Sequence, residues 1–183
     1  HVTGVQTCAL PIYWVSDDNG FTWQKFFKFD GISKKFKYEK SILWLFTRMF
    51  SSSAFDENGD KLSIYNAPDL CEKAKQHIMV ALPPGNNTAC AKTYIKELKS
   101  LLITHGIFQG TIFDAYEDNL GDRKNDISNS LTNTLTLTCI RDCTGANIPE
   151  LGSFVFLRNI GNSVKFFEQA TGRVGRVSQG KTN

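Results

Sequence analysis

Apolar residues recur along this chain at two periods, and the switch between them outlines its elements. Ile42, Leu45, Phe46 and Met49 repeat at helical spacing, widened by Leu43 and Phe50, which predicts a helix from about Tyr38 with one face buried. Pro68, suited to a first helical turn, predicts a short helix over 69–76. Ile78, Met79, Val80, Ala81 and Leu82 form an unbroken apolar run, the mark of a strand covered on both faces. A helix follows over 89–104, with Ala91, Tyr94, Ile95, Leu98, Leu101 and Leu102 as its stripe and Asn87 or Thr88 as its N-cap. Strands are predicted at 108–113, 134–140 and 154–157, with a polar stretch over 117–131 that holds a short helix around Ile127 and Leu131. Strands alternating with helices at this spacing predict right-handed βαβ units. The fold class is therefore α/β, a parallel sheet with helices on both faces.

The chain before residue 67 follows a different pattern. Residues 13–36 are aromatic-rich and irregular, with a turn signal at Asp17-Asp18-Asn19-Gly20. Ser51-Ser52-Ser53 and the run from Asp56 to Asp60 read as a surface loop. That run lacks the twelve-residue loop and terminal Glu of a calcium site. Residues 13–66 are thus expected to form a mostly helical appendage to an α/β domain over 67–183.

The formal net charge of +3 and the 21% of charged residues are mild and make no case for a polyanion partner. The basic residues are unevenly spread, however. Lys25, Lys28, Lys34, Lys35, Lys37 and Lys40 lie close together, interleaved with Phe26, Phe27, Phe29 and Phe36. Such a run is ordinarily a solvated face, and it is also one that could hold nucleic-acid backbone. No apolar run reaches the ~20 residues of a membrane span. The five cysteines show no Cys-x-x-Cys spacing, and His77 and His105 lie at no finger-like distance from them. No metal site is predicted, and the cysteines read as buried reduced thiols of a cytoplasmic protein.

The last predicted helix carries the most distinctive pattern. Phe166, Phe167, Ala170 and Val174 fall on one side, while Gln169, Arg173 and Arg176 share another. Guanidiniums in fork geometry suit phosphate oxygens. Gly172 admits a close backbone at a helix cost of about 1 kcal/mol. Gln169, Gly172, Arg173 and Arg176 together resemble motif VI, Gln-x-x-Gly-Arg-x-x-Arg, of superfamily 2 helicases and translocases. Upstream, the stretch from Cys143 to Pro149 resembles their motif V, with Thr144 where the family has Arg and Asn147 where it has Asp. The Thr-Gly variant is similar to helicase subunits of phage and restriction-type systems. The resemblance covers about residues 77–183. Residues 2–12 instead resemble the conceptual translation of a sequencing adapter, and residues 1–12 are set aside as a read-through artefact. They lack the basic start and long apolar core of a signal peptide.

The resemblance implies the second RecA-like domain of a helicase core, truncated at its C-terminus. It implies that ATP and Mg²⁺ are held mainly by a missing first RecA-like domain, across a cleft from motif VI. Arg173 and Arg176 would be arginine fingers on the γ-phosphate, with Gln169 orienting the cleft; Gly145, Asn147 and Gly172 would line the nucleotide site. Thr138 and Thr144, with Pro84, Asn87 and Thr88 at the helix N-terminus after the first apolar strand, would hold nucleic-acid backbone, DNA by preference. Asn147 can bond a ribose hydroxyl but carries none of the charge of the acid it replaces.

Residues 175–182 also satisfy the Walker A expression letter for letter. A working P-loop follows a strand and opens a helix. This stretch follows a helix and overlaps the motif VI arginines, so it is read as a coincidence. Two alternatives stay open: a complete NTPase using Lys181 and Thr182, and a non-catalytic RecA-like module that binds nucleic acid or protein. In the second, Arg173 and Arg176 only make ion pairs.

Overall fold

The computed structural model describes residues 20–50, 77–84, 88–117, 119–139, 148, 151–158 and 168–169. In chain order these form α1 (Trp23–Phe26), β1 (Phe29–Asp30), β2 (Lys35–Phe36), α2 (Glu39–Phe50), β3 (His77–Ala81), α3 (Thr88–Thr104), β4 (Thr111–Asp114), α4 (Leu120–Asn129), β5 (Thr134–Thr138) and β6 (Ser153–Phe156). Strands β3 to β6 make one parallel sheet in the order β4-β5-β3-β6. The chain steps two strands one way through α3, then one strand back through α4. Two crossovers of one hand that travel in opposite directions must lie on opposite faces. They do: α3 packs on one face of the sheet and α4 on the other.

Strand alternation sorts the core into two halves. Ile78, Val80 and Leu82, with Leu135 and Leu137, face the first half, where Ala91, Tyr94, Ile95, Leu98 and Leu102 of α3 cover them. The helical stripe is buried as its period predicts, apart from Leu101, which is only half-buried. Met79 and Phe113 face the second half with Ile127 of α4, Ile148 and Leu151. Threonines occupy the second-face positions of β5: Thr134, Thr136 and Thr138 are all buried.

Residues 20–50 are built onto the first face. Ile42, Leu45, Phe46, Met49 and Phe50 of α2 join the same core as α3. Phe46 meets Phe27 and Phe50, and Phe50 meets Phe108. The aromatic run expected to be irregular contains a one-turn helix, capped by Thr22 Oγ1 accepting from Lys25 N at 3.1 Å, and a β1–β2 hairpin. The interleaved Phe and Lys largely separate, with only Lys25 and Phe29 half-buried. Phe26, Phe27 and Phe36 are buried, while Lys28, Lys34, Lys35, Lys37 and Lys40 are exposed.

Two expectations shift. The strand predicted at 108–113 begins only at Thr111, because Gly106 and Gly110 turn the chain at positive φ. Phe108 still packs against the core from this turn, which is why the apolar pattern reads as a longer strand. Gly110 is required there, since a Cβ would run into the Asn133 carbonyl, which accepts from Thr111 N at 3.0 Å. Leu131, expected on the short helix, lies beyond its end at Asn129 and is 84% exposed. The helix predicted over 69–76 lies outside the described residues.

Candidate functional site

In open α/β sheets, ligands gather outside the carboxyl ends of the strands, where neighbouring connections leave in opposite directions. Here that point lies between β3 and β5, since β3 leads toward β4 and β5 leads toward β6 on the far side. Backbone bonds extend the ladder to the edge. Leu82 N donates to Thr138 O at 2.7 Å, Ala115 N to Leu137 O at 3.1 Å and Leu157 N to Ala81 O at 2.8 Å. Pro83 and Pro84 then leave β3, with Pro84 exposed.

Two side-chain bonds tie this edge together. Cys139 Sγ donates to the Pro83 carbonyl at 3.2 Å, directly across the β3–β5 crevice. Arg158, just beyond β6, sends Nη1 past β3 to the Cys139 carbonyl at 2.6 Å. That span crosses two strand intervals of roughly 5 Å each, within reach of an extended arginine. A charge-assisted bond of this length is strong and directional. It places a half-buried guanidinium over the switch point and fixes the backbone from which the chain departs toward residues 143–149. Sequence reasoning passed over Arg158. The available signal was a basic residue immediately after an apolar strand run, at the end where parallel sheets bind ligands.

Asp114 closes β4. It is fully buried, and its Oδ1 accepts from Tyr116 N at 2.7 Å, which turns the chain at the edge. Beyond it Glu117 Oε1 accepts from Lys96 Nζ at 2.8 Å. This bond, with the attraction between the charges, holds the Lys96 ammonium above its ordinary range, and the Lys96 hydrogen bond holds the Glu117 carboxyl below its own.

The predicted site residues fall as follows. Pro84 sits exposed at the edge, Thr88 opens α3, and Thr138 is the last residue of β5 with its side chain enclosed. Gln169 is helical and exposed. Asn87, Thr144, Gly145, Asn147, Gly172, Arg173 and Arg176 lie outside the described residues. One residue of the motif V stretch is described: Ile148 is 2% exposed and anchored on the second face beside Met79, Phe113 and Ile127. Among the described residues no three His, Cys, Asp or Glu side chains converge as a metal ion requires. The donors at the edge, a guanidinium and the amides opening α3, suit an anion instead. No described helix is long and apolar enough to cross a membrane. No family model matches the chain, and no curated protein or solved structure proves similar to it.

Proposed function

We propose that this chain supplies the second RecA-like domain of an ATP-dependent superfamily 2 helicase or DNA translocase of the cytoplasm. One observation carries the reading. The motif V stretch follows β5 and the motif VI stretch follows β6, on either side of the central strand of an all-parallel sheet. The chain leaves β5 and β6 toward these stretches at the edge where such sheets bind ligands. The helical, exposed state of Gln169 agrees with a motif VI helix that presents its polar face outward.

In this reading ATP and Mg²⁺, held mainly by a first RecA-like domain, supply the phosphoanhydride and its charge neutralisation. Arg173 and Arg176 would hold the γ-phosphate and stabilise the charge that develops on it, while Gln169 would orient the cleft. Asn147 would bond a ribose hydroxyl, and Gly145 and Gly172 would let backbone approach the nucleotide. Pro84, Asn87, Thr88 and Thr144 would border the path of a DNA backbone, whereas Thr138, expected to touch it, is fully enclosed at the end of β5 and can only support the edge from within. Arg158 keeps the departure of motif V fixed beneath them. Closure of the two domains on ATP and reopening after hydrolysis move the track.

Hydrolysis assays test this. The chain alone turns over no ATP, and Lys181→Ala changes nothing. Joined to a domain bearing a Walker A lysine, it supports DNA-stimulated turnover that Arg176→Ala lowers by about 10³–10⁵-fold. Turnover by the chain alone that vanishes in Lys181→Ala overturns the reading.

A further inference from the structure

The hairpin over α3 concentrates the charge of the molecule. Residues 20–50 hold seven Lys and Arg against two Asp and Glu, a local +5 in a chain whose total is +3. The hairpin register pairs Phe29 with Phe36 and Asp30 with Lys35, and Lys37 N donates to Lys28 O at 2.9 Å. Lys28 and Lys37 therefore stand opposite one another, and strand alternation puts them with Lys35 on the side away from Phe29 and Phe36. Those two rings are fixed against Tyr94, at 6.2 and 5.6 Å, so the lysine side is held outward.

Like charges directly opposite across two strands destabilise a hairpin. Among the described residues Lys28, Lys34, Lys35, Lys37 and Lys40 make no ion pair with a carboxylate. Asp30 is turned into its own loop, where Oδ1 accepts from Ile32 N at 3.0 Å and Oδ2 from Ser33 Oγ at 2.7 Å. Location adds to the case. Tyr94 lies in the N-terminal half of α3, the half that starts from the carboxyl edge, so the hairpin meets the helix on the part nearer that edge.

We propose that the outer face of this hairpin, Lys28, Lys35 and Lys37 with Lys34 and Lys40 beside it, binds nucleic-acid backbone and extends the track along the flank of α3. For the class of polyanion the proposal rests on the helicase reading. Flexible ammonium groups contact phosphates without reading sequence. Each contact releases counterions, so the surface has a characteristic salt signature.

The test is fluorescence anisotropy of the full chain with labelled single-stranded and duplex DNA oligonucleotides, between about 50 and 200 mM salt. The comparison protein carries Lys28→Gln, Lys34→Gln, Lys35→Gln, Lys37→Gln and Lys40→Gln. The expected result is a log–log salt slope shallower by about 3 to 5, with at least a tenfold loss of affinity at the lower salt. A five-arginine counterpart at the same positions keeps the charge and retains binding, which separates lost charge from lost fold. Equal slopes in the glutamine and original proteins overturn the proposal. So does the absence of DNA binding at the lower salt, or binding of phosphatidylserine vesicles in place of DNA. The helicase reading is scored separately by Arg176→Ala in the hydrolysis assay. Equal slopes with intact Arg176 dependence remove only the hairpin, whereas a shallower slope without Arg176 dependence removes only the helicase.

Discussion

The two faces of the sheet are built differently. The first is continuous hydrocarbon: Ile78, Val80, Leu135 and Leu137 under α3, with α2 and its phenylalanines packed against the same core. The second mixes Met79 and Phe113 with a buried row of threonines and with His77, whose Nδ1 lies 2.9 Å from Thr134 Oγ1. It also receives Ile148, the described residue of the motif V stretch. The first face acts as foundation and the second as mount: packing alone holds one, and the His77–Thr134 bond adds a directional tie to the packing of the other. A site that must place loops accurately gains from a neighbour with few alternative packings, and hydrogen-bonded hydroxyls supply that in a way aliphatic side chains do not.

If this contrast is right, truncation hurts most on the first face. Phe46→Ala removes a fully buried ring between Phe27 and Phe50 and is expected to cost about 3–5 kcal/mol in urea denaturation. A loss near 1 kcal/mol would mean that α2 is an ornament on the domain. On the second face, Thr134→Val keeps the volume but leaves the buried His77 ring nitrogen without that hydroxyl, at about 1–3 kcal/mol. A neutral or stabilising outcome would erase the distinction between the faces.

The smallest effect belongs to the hairpin. The Ser33 hydrogen bond, with the Ile32 amide next, holds the Asp30 carboxyl below its ordinary value of 3.8. A depressed carboxyl adds stability above its unfolded pKa, and that stability disappears as pH falls through the folded value. Acidification from about pH 5 to 3 should therefore release the turn, seen as faster exchange of the Ile32 amide, while amides of α3 on the first face stay protected. Simultaneous loss of both would show that hairpin and foundation are one unit.

These contrasts were unequally legible in the sequence. The stripes of α2 and α3 and the apolar run of β3 were plain, because packing there obeys a single period. The β-branched run of β5 marked a strand, but the burial of its threonines on the second face emerged only from the sheet. The β1–β2 hairpin was not visible: its strands are two residues long, and its loop relies on the Asp30 side chain and on Lys34 at φ 53 rather than on a glycine there. At the edge, the exits after β3 and β5 were named, but the bond from Arg158 to Cys139 joins residues nineteen apart and follows only from the strand order. The separation of lysines from phenylalanines likewise needed the hairpin register before it could be read.

The central claim is that motif VI guanidiniums face a nucleotide outside the carboxyl edge of this sheet. A crystal structure of the protein joined to a domain bearing a Walker A lysine, with a non-hydrolysable ATP analogue, measures it directly. The account predicts the Arg173 or Arg176 guanidinium within about 2.7–2.9 Å of a γ-phosphate oxygen. Both side chains turned from the strand ends and paired with carboxylates would contradict it.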